Sequence, residues 1–113
     1  NEYTSQLQRY EGAQLGIKTL GIDGSQLLIG LINDGLVADW NKSQPDKSVN
    51  IEVGDCIVEV NGVRGDAHRM RNELVKGTVL ELRLRRDSAG RLQAYQFHLS
   101  SLEHDAAALD RVR

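Results

Sequence analysis

Few side chains in this sequence are placed for covalent or metal chemistry. The single cysteine, Cys56, sits inside an apolar run beside Asp55. A reactive thiol needs a neighbouring base and an electropositive setting, so Cys56 reads as small buried filler. His98 and His104 lack metal-ligand spacing, no Ser-His-Asp arrangement is suggested, and no glycine-rich phosphate loop is present. No catalytic residue, metal or cofactor is therefore expected. What remains is chemistry of the backbone. In Gln14-Leu15-Gly16-Ile17 the glycine lets successive N–H groups be presented to one point without an intruding side chain, which suits the capture of an anion such as a carboxylate.

Composition narrows the classes further. At 113 residues the chain has room for one domain with one core. Its 40% hydrophobic and 27% charged content is that of a globular protein, and no apolar run approaches the roughly 18 residues of a membrane span. A formal net charge of −2 gives no general attraction to phosphate, so nucleic acid is not an expected partner. Arg83, Arg85 and Arg86 form the one basic cluster. On a strand Arg83 and Arg85 share a face, and the cluster reads as a solvated outer surface. One cysteine excludes an intrachain disulfide and fits a reducing compartment. The chain begins at Asn1 rather than Met and is read as a segment of a longer protein.

The positioning elements follow from turn signals and periodicity. A first strand is expected over Tyr3 to Gln8, then a polar loop over Tyr10 to Gln14, then a strand over Leu15 to Ile22. Asp23-Gly24 predicts a tight hairpin into Leu27-Leu28-Ile29. Leu36 to Trp40 is long enough for one helical turn, and Asn41 to Asn50, with Pro45, reads as an exposed loop. A strand begins near Ile51. Val53-Gly54-Asp55 turns the chain into Cys56 to Val60, whose apolar character suits burial on both faces, and Asn61-Gly62 ends it. Ala67, Met70 and Leu74 have helical spacing between Asp66, a capping residue, and Gly77, a terminator. Thr78 to Arg86 alternates, with Leu80, Leu82 and Leu84 on one side. Asp87 to Gly90 reads as a turn, Tyr95, Phe97 and Leu99 as an added antiparallel strand, and Ser100 with Glu103 as the capping box of a short helix.

The order of these elements, with Leu15-Gly16-Ile17 ahead of the hairpin and Ile51, Gly54-Asp55, Ile57, Val60 and Asn61-Gly62 along the central strand, resembles a PDZ domain over roughly residues 3–86. The resemblance implies an all-β or α+β fold: a partly open antiparallel β-barrel of five or six strands with two helices. Residues 1–86 would form the peptide-binding domain, and 87–113 an extension with the extra strand and short helix. It also implies a non-enzymatic interaction module, a scaffold or adaptor in signalling. Its partners would be C-terminal peptides of other proteins, added as a strand between the second strand and second helix. Gln14, Leu15, Gly16 and Ile17 look like the family's carboxylate-binding loop, with Lys18 and Thr19 continuing along the groove.

For the helical wall two registers are open. In one, His68, Asn72 and Val75 face the groove, and the resemblance gives His68 the hydroxyl of a Ser or Thr two residues before the ligand's apolar end. In the other, Ala67, Arg71 and Leu74 face it. Arg9 has two readings: the family's basic residue that holds the carboxylate through water, as the resemblance implies, or an exposed arginine at a strand end. Lys18 suggests a preference for acidic residues upstream in the ligand. The expected location is cytoplasmic, with the inner membrane surface reached through a partner. Two further readings stand beside this one. The chain could be the regulatory or substrate-sensing part of a larger enzyme such as a protease, or self-associate by placing the 87–113 extension in a groove. Leu109 and Val112 would serve as anchors there, although Arg113 fits an apolar socket poorly.

Overall fold

The computed structural model describes residues 2–96. Six antiparallel strands form one sheet in the order β1 (Glu2–Gln8), β6 (Val79–Arg85), β4 (Cys56–Val60), β3 (Gln26–Ile32), β2 (Ile17–Ile22), and the short β5 (Val63–Arg64) pairs with β4. The sheet does not close, since among the described residues β1 and β2 each have one partner. Helices α1 (Leu36–Ser43) and α2 (Ala67–Lys76) complete the expected partly open barrel.

Local chemistry sets these boundaries. Asp23 and Gly24 both take positive φ, 52° and 67°, and the Ser25 N–H returns to the Ile22 carbonyl at 3.0 Å. That is the mirror-image turn whose twist matches a hairpin, and it aims β3 back along β2. Asp66 caps α2 by accepting from the Arg69 N–H at 3.1 Å, and the Gly77 N–H closes the helix on the Glu73 carbonyl at 2.8 Å. Leu80, Leu82 and Leu84 are fully buried, as the period of two requires, and meet Ala67, Met70 and Leu74 of α2 in one core with Leu27, Ile29, Ile57 and Val60. On the other face of the sheet Leu28, Cys56 and Val58 form a second, smaller cluster. Burial there pushes the Cys56 thiol pKa up, as expected of filler.

Several boundaries differ from expectation. β2 starts at Ile17, because Leu15 and Gly16 belong to the loop. Helix α1 runs on to Ser43, and a single 3-10 turn at Lys47–Val49, capped by Asp46, interrupts the polar loop. Ile51 lies outside any strand and is pinned by Asn41, which both donates to its carbonyl and accepts from its N–H at 2.8 Å. The largest correction lies after β6. Residues 88–96 are helical, so neither the turn over Asp87 to Gly90 nor a strand through Tyr95 is present. Asp87 acts as a helix cap, accepting from the Gly90 N–H at 2.8 Å. Gly90 is buried and lies so close to Gly54 that an added Cβ would stand 2.3 Å from its carbonyl oxygen, and Ala94, one turn on, is buried as well. Turn-type residues were here a cap and a packing contact. Phe97, Leu99 and the short helix expected from Ser100 lie outside the described residues.

Arg86 is the second correction. It belongs to no solvated surface, since its guanidinium donates twice to Asp55 at 2.9 Å, and Asp55 is fully buried. The same carboxylate accepts the Tyr3 hydroxyl and the Glu52 N–H, and the guanidinium lies over the Tyr3 ring, 5.2 Å from its centre. Burial, then the bond to Asp55, raise the Tyr3 phenol pKa well above its usual range, so it stays a neutral donor. Removing one partner of a buried pair strands the other charge. Asp55→Ala is expected to cost about 3–5 kcal/mol in urea unfolding; a loss below about 1 kcal/mol, the range of surface ion pairs, would show that the pair is not buried in solution.

The Gly90 N–H, assisted by Arg85, holds the Asp87 carboxyl below its usual pKa. A carboxylate lowered in the folded state contributes stability above its unfolded pKa of about 3.9 that is lost as pH falls through the native value. Asp87→Ala should therefore cost about 1 kcal/mol near neutral pH, as loss of a cap does, and the deficit should shrink in unfolding curves below about pH 4.

Candidate functional site

The open side of β2 faces α2 across a groove of about 390 Å³. It is lined by Ala13, Gln14, Leu15, Ile17 and Thr19 on one side and by Arg71, Leu74 and Val75 on the other, with Arg9 at one end.

The geometry of the loop is set by where its carbonyls go. The Leu36 N–H donates to the Gln14 carbonyl at 2.9 Å, the Val37 N–H to that of Leu15 at 3.2 Å, and the Asn33 N–H to that of Gly16 at 2.7 Å. Gly35 offers no side chain to cap α1, so the loop carbonyls satisfy the first N–H groups of that helix instead. In a planar trans peptide the N–H points opposite to the C=O of the preceding residue. Three carbonyls turned toward α1 and β3 therefore turn the N–H groups of Leu15, Gly16 and Ile17 the other way, into the groove. Two glycines make this docking possible. A Cβ on Gly16, φ 78°, would stand 2.7 Å from the Asp34 carbonyl oxygen, and one on Gly35, φ 155°, would stand 2.7 Å from that of Gln14.

The strand beyond the loop continues the pattern. Ile17 and Ile32 are opposite, and the bond from the Asn33 N–H to the Gly16 carbonyl makes theirs a pair that exchanges no hydrogen bonds, so the Ile17 backbone groups face away from β3. The ladder slips between Lys18 and Thr19, where β3 carries one extra residue, Gly30; past the slip the Thr19 carbonyl points to the groove side, since the Arg71 guanidinium reaches across to it at 3.1 Å. Arg9 closes the other end. It donates to the Leu74 carbonyl at 2.6 Å and to that of Val75, while its backbone N–H bonds the Thr78 carbonyl at 2.8 Å. A cation there satisfies last-turn carbonyls and complements the helix dipole. The Nε of Arg9 is buried without a partner among the described residues.

The two helical registers are not equally placed. Arg71 and Leu74 of one, and Val75 of the other, line the groove. Ala67 is buried, 4.0 Å from where a side chain on Gly21 would begin, so β2 and α2 nearly touch there. His68 is exposed and outside the groove lining, and Asn72 faces a different hollow with Val63, Arg69, Glu73 and Lys76. The register is fixed where the helix enters: the Ala67 N–H bonds the Gly24 carbonyl at 2.8 Å, clamping the helix to the β2–β3 turn. No spacing rule within the helix reveals that, because both triads are spaced four and three. Lys18 is exposed and alternates away from the lining. Ala13, which lines the groove, and Gly35, which lies against the loop, were not among the expected site residues.

No protein-family model and no curated protein matches the sequence. Among solved structures the fold is similar to the fifth PDZ domain of InaD, with a TM-score of 0.55 and 17% identity over 78% of this chain and 93% of that domain. The fold of this chain is thus PDZ-like.

Gly16→Ala and Gly35→Ala should each displace the loop, because an L residue is strained at these φ values and its Cβ would collide with backbone oxygen. Each is expected to lower stability by about 1–3 kcal/mol in urea unfolding and to shift the amide resonances of residues 14–17 selectively; an undisturbed loop in either variant would contradict the close docking.

Proposed function

We propose that this chain is an interaction module, without enzymatic activity, that captures the C-terminal end of a partner protein by adding it as a strand to β2. The observation that carries this reading is the outward turn of the Leu15, Gly16 and Ile17 N–H groups at the head of a strand edge unpaired among the described residues. Converging backbone donors bind a carboxylate, and an open edge pairs with any extended chain. Leu15, Ile17, Leu74 and Val75 supply the apolar walls for a last side chain, whose burial contributes about 1.5–3 kcal/mol. Arg9, anchored at the same end, adds positive charge beside the carboxylate. Among the described residues no histidine lines the groove, so their geometry does not favour Ser or Thr two residues before the ligand's end.

The adaptor role is favoured over self-capture by the place of the extension. As far as Gln96 it packs as a helix against Gly54, not in the groove. No described helix is long and apolar enough to cross a membrane, and a cytoplasmic adaptor role fits the free buried cysteine.

Peptides ending in a free carboxylate after Leu, Ile or Val should bind reversibly. Amidation removes charge-assisted hydrogen bonds of about 1.5–3 kcal/mol each and should weaken capture at least about tenfold in a fluorescence polarisation titration. Equal binding of acid and amide would overturn the reading.

A further inference from the structure

The groove is already bridged by one of its own side chains. Arg71, one turn before Leu74 on α2, places its guanidinium against Thr19 of β2, 3.1 Å from the carbonyl oxygen and 3.4 Å from the hydroxyl. It has no carboxylate partner among the described residues, unlike Arg64, Arg83, Arg85, Arg86 and Arg91. The lining as a whole carries two guanidinium groups and no acid, although the chain has a net charge of −2. Of the two, Arg9 is held by the last carbonyls of α2 at the end proposed for the carboxylate, which leaves Arg71 as the lining cation farther along the groove.

Strand addition fixes which ligand residue meets it. In an antiparallel pair, outward-facing backbone groups recur every second residue. With the carboxylate at the Leu15 to Ile17 amides, the last ligand residue lies opposite Ile17, and the residue two places earlier lies opposite Thr19. Side chains two apart on a strand point to the same face, so this third-from-last side chain enters the groove beside the last one, where Arg71 stands. Its backbone N–H also needs the Thr19 carbonyl, the acceptor Arg71 now occupies.

We infer that Arg71 determines specificity by selecting ligands with Asp or Glu at the third position from the end. This rests on the strand-addition reading above. A ligand carboxylate there gives the guanidinium a planar, charge-matched partner and draws it off Thr19, freeing the carbonyl for the ladder. A neutral side chain leaves Arg71 competing for that acceptor, and a Lys meets like charge.

The test uses fluorescein-labelled peptides identical except for Glu, Gln or Lys at the third position from a C-terminal Leu, each as acid and amide, titrated with wild type, Arg71→Ala and Arg71→Glu. Arg71 is exposed, so the variants should fold, which circular dichroism checks. Wild type is expected to prefer Glu over Gln by about three- to tenfold, the range of a solvent-accessible to partly desolvated ion pair, with the preference shrinking as salt is raised. Arg71→Ala should lose the preference while binding the Gln peptide at least as well as wild type, and Arg71→Glu should prefer Lys. Equal wild-type binding of the Glu and Gln acids, with amides still excluded, would overturn the role of Arg71 and leave the groove reading intact. Binding indifferent to amidation would overturn the groove reading and this inference together. A uniform loss for every peptide in Arg71→Ala would show Arg71 to be a wall of the groove and not its selector.

Discussion

The constraint on which the groove depends is the meeting of two backbones at Gly16 and Gly35, where a single added carbon on either would stand 2.7 Å from a carbonyl oxygen. Because the loop lies flat on the start of α1, its carbonyls serve as that helix's missing caps, and its amides are left to face the groove. A structural need, the orphan N–H groups of a helix without a side-chain cap, thus orients the loop amides on which the proposed carboxylate site rests. Moving the loop would uncap the helix.

Around this contact the groove is held at a set width. Arg9 ties the end of β1 to the last turn of α2, and the Ala67 N–H ties the first turn to the β2–β3 hairpin. Behind the sheet, Asp55 gathers Tyr3, Arg86 and the Glu52 N–H, joining β1, the turn before β4 and the segment after β6. The helix over 88–96 then packs on that turn through Gly90. The far side of the molecule is knitted by charge and close glycine contact, while the near side keeps the β2 edge unpaired among the described residues.

Much of the fold was legible because it rested on local rules. Asp23-Gly24, the alternation of Leu80, Leu82 and Leu84, and the Asp66 to Gly77 bracket of α2 each carry their own mechanism and lie where the sequence places them. Gln14 to Ile17 was singled out by its resemblance to a PDZ loop, and the positive φ of Gly16 agrees with a glycine at that point. What the sequence hid depended on contacts distant along the chain. Arg86 reads as surface until Asp55 is seen buried beside it. Asp87 and Gly90 look like a turn until Gly54 lies against them. The face that α2 gives the groove is decided by the Ala67 bond to Gly24 rather than by any periodicity.

The central claim is that three successive amides stand ready for a carboxylate. Titrating 15N-labelled protein with a free-acid peptide and following amide chemical shifts by NMR tests it most directly. The account predicts that Leu15, Gly16 and Ile17 move first and farthest, with Thr19 following as the ladder forms. Saturable binding that leaves those three resonances in place while another surface responds would contradict it.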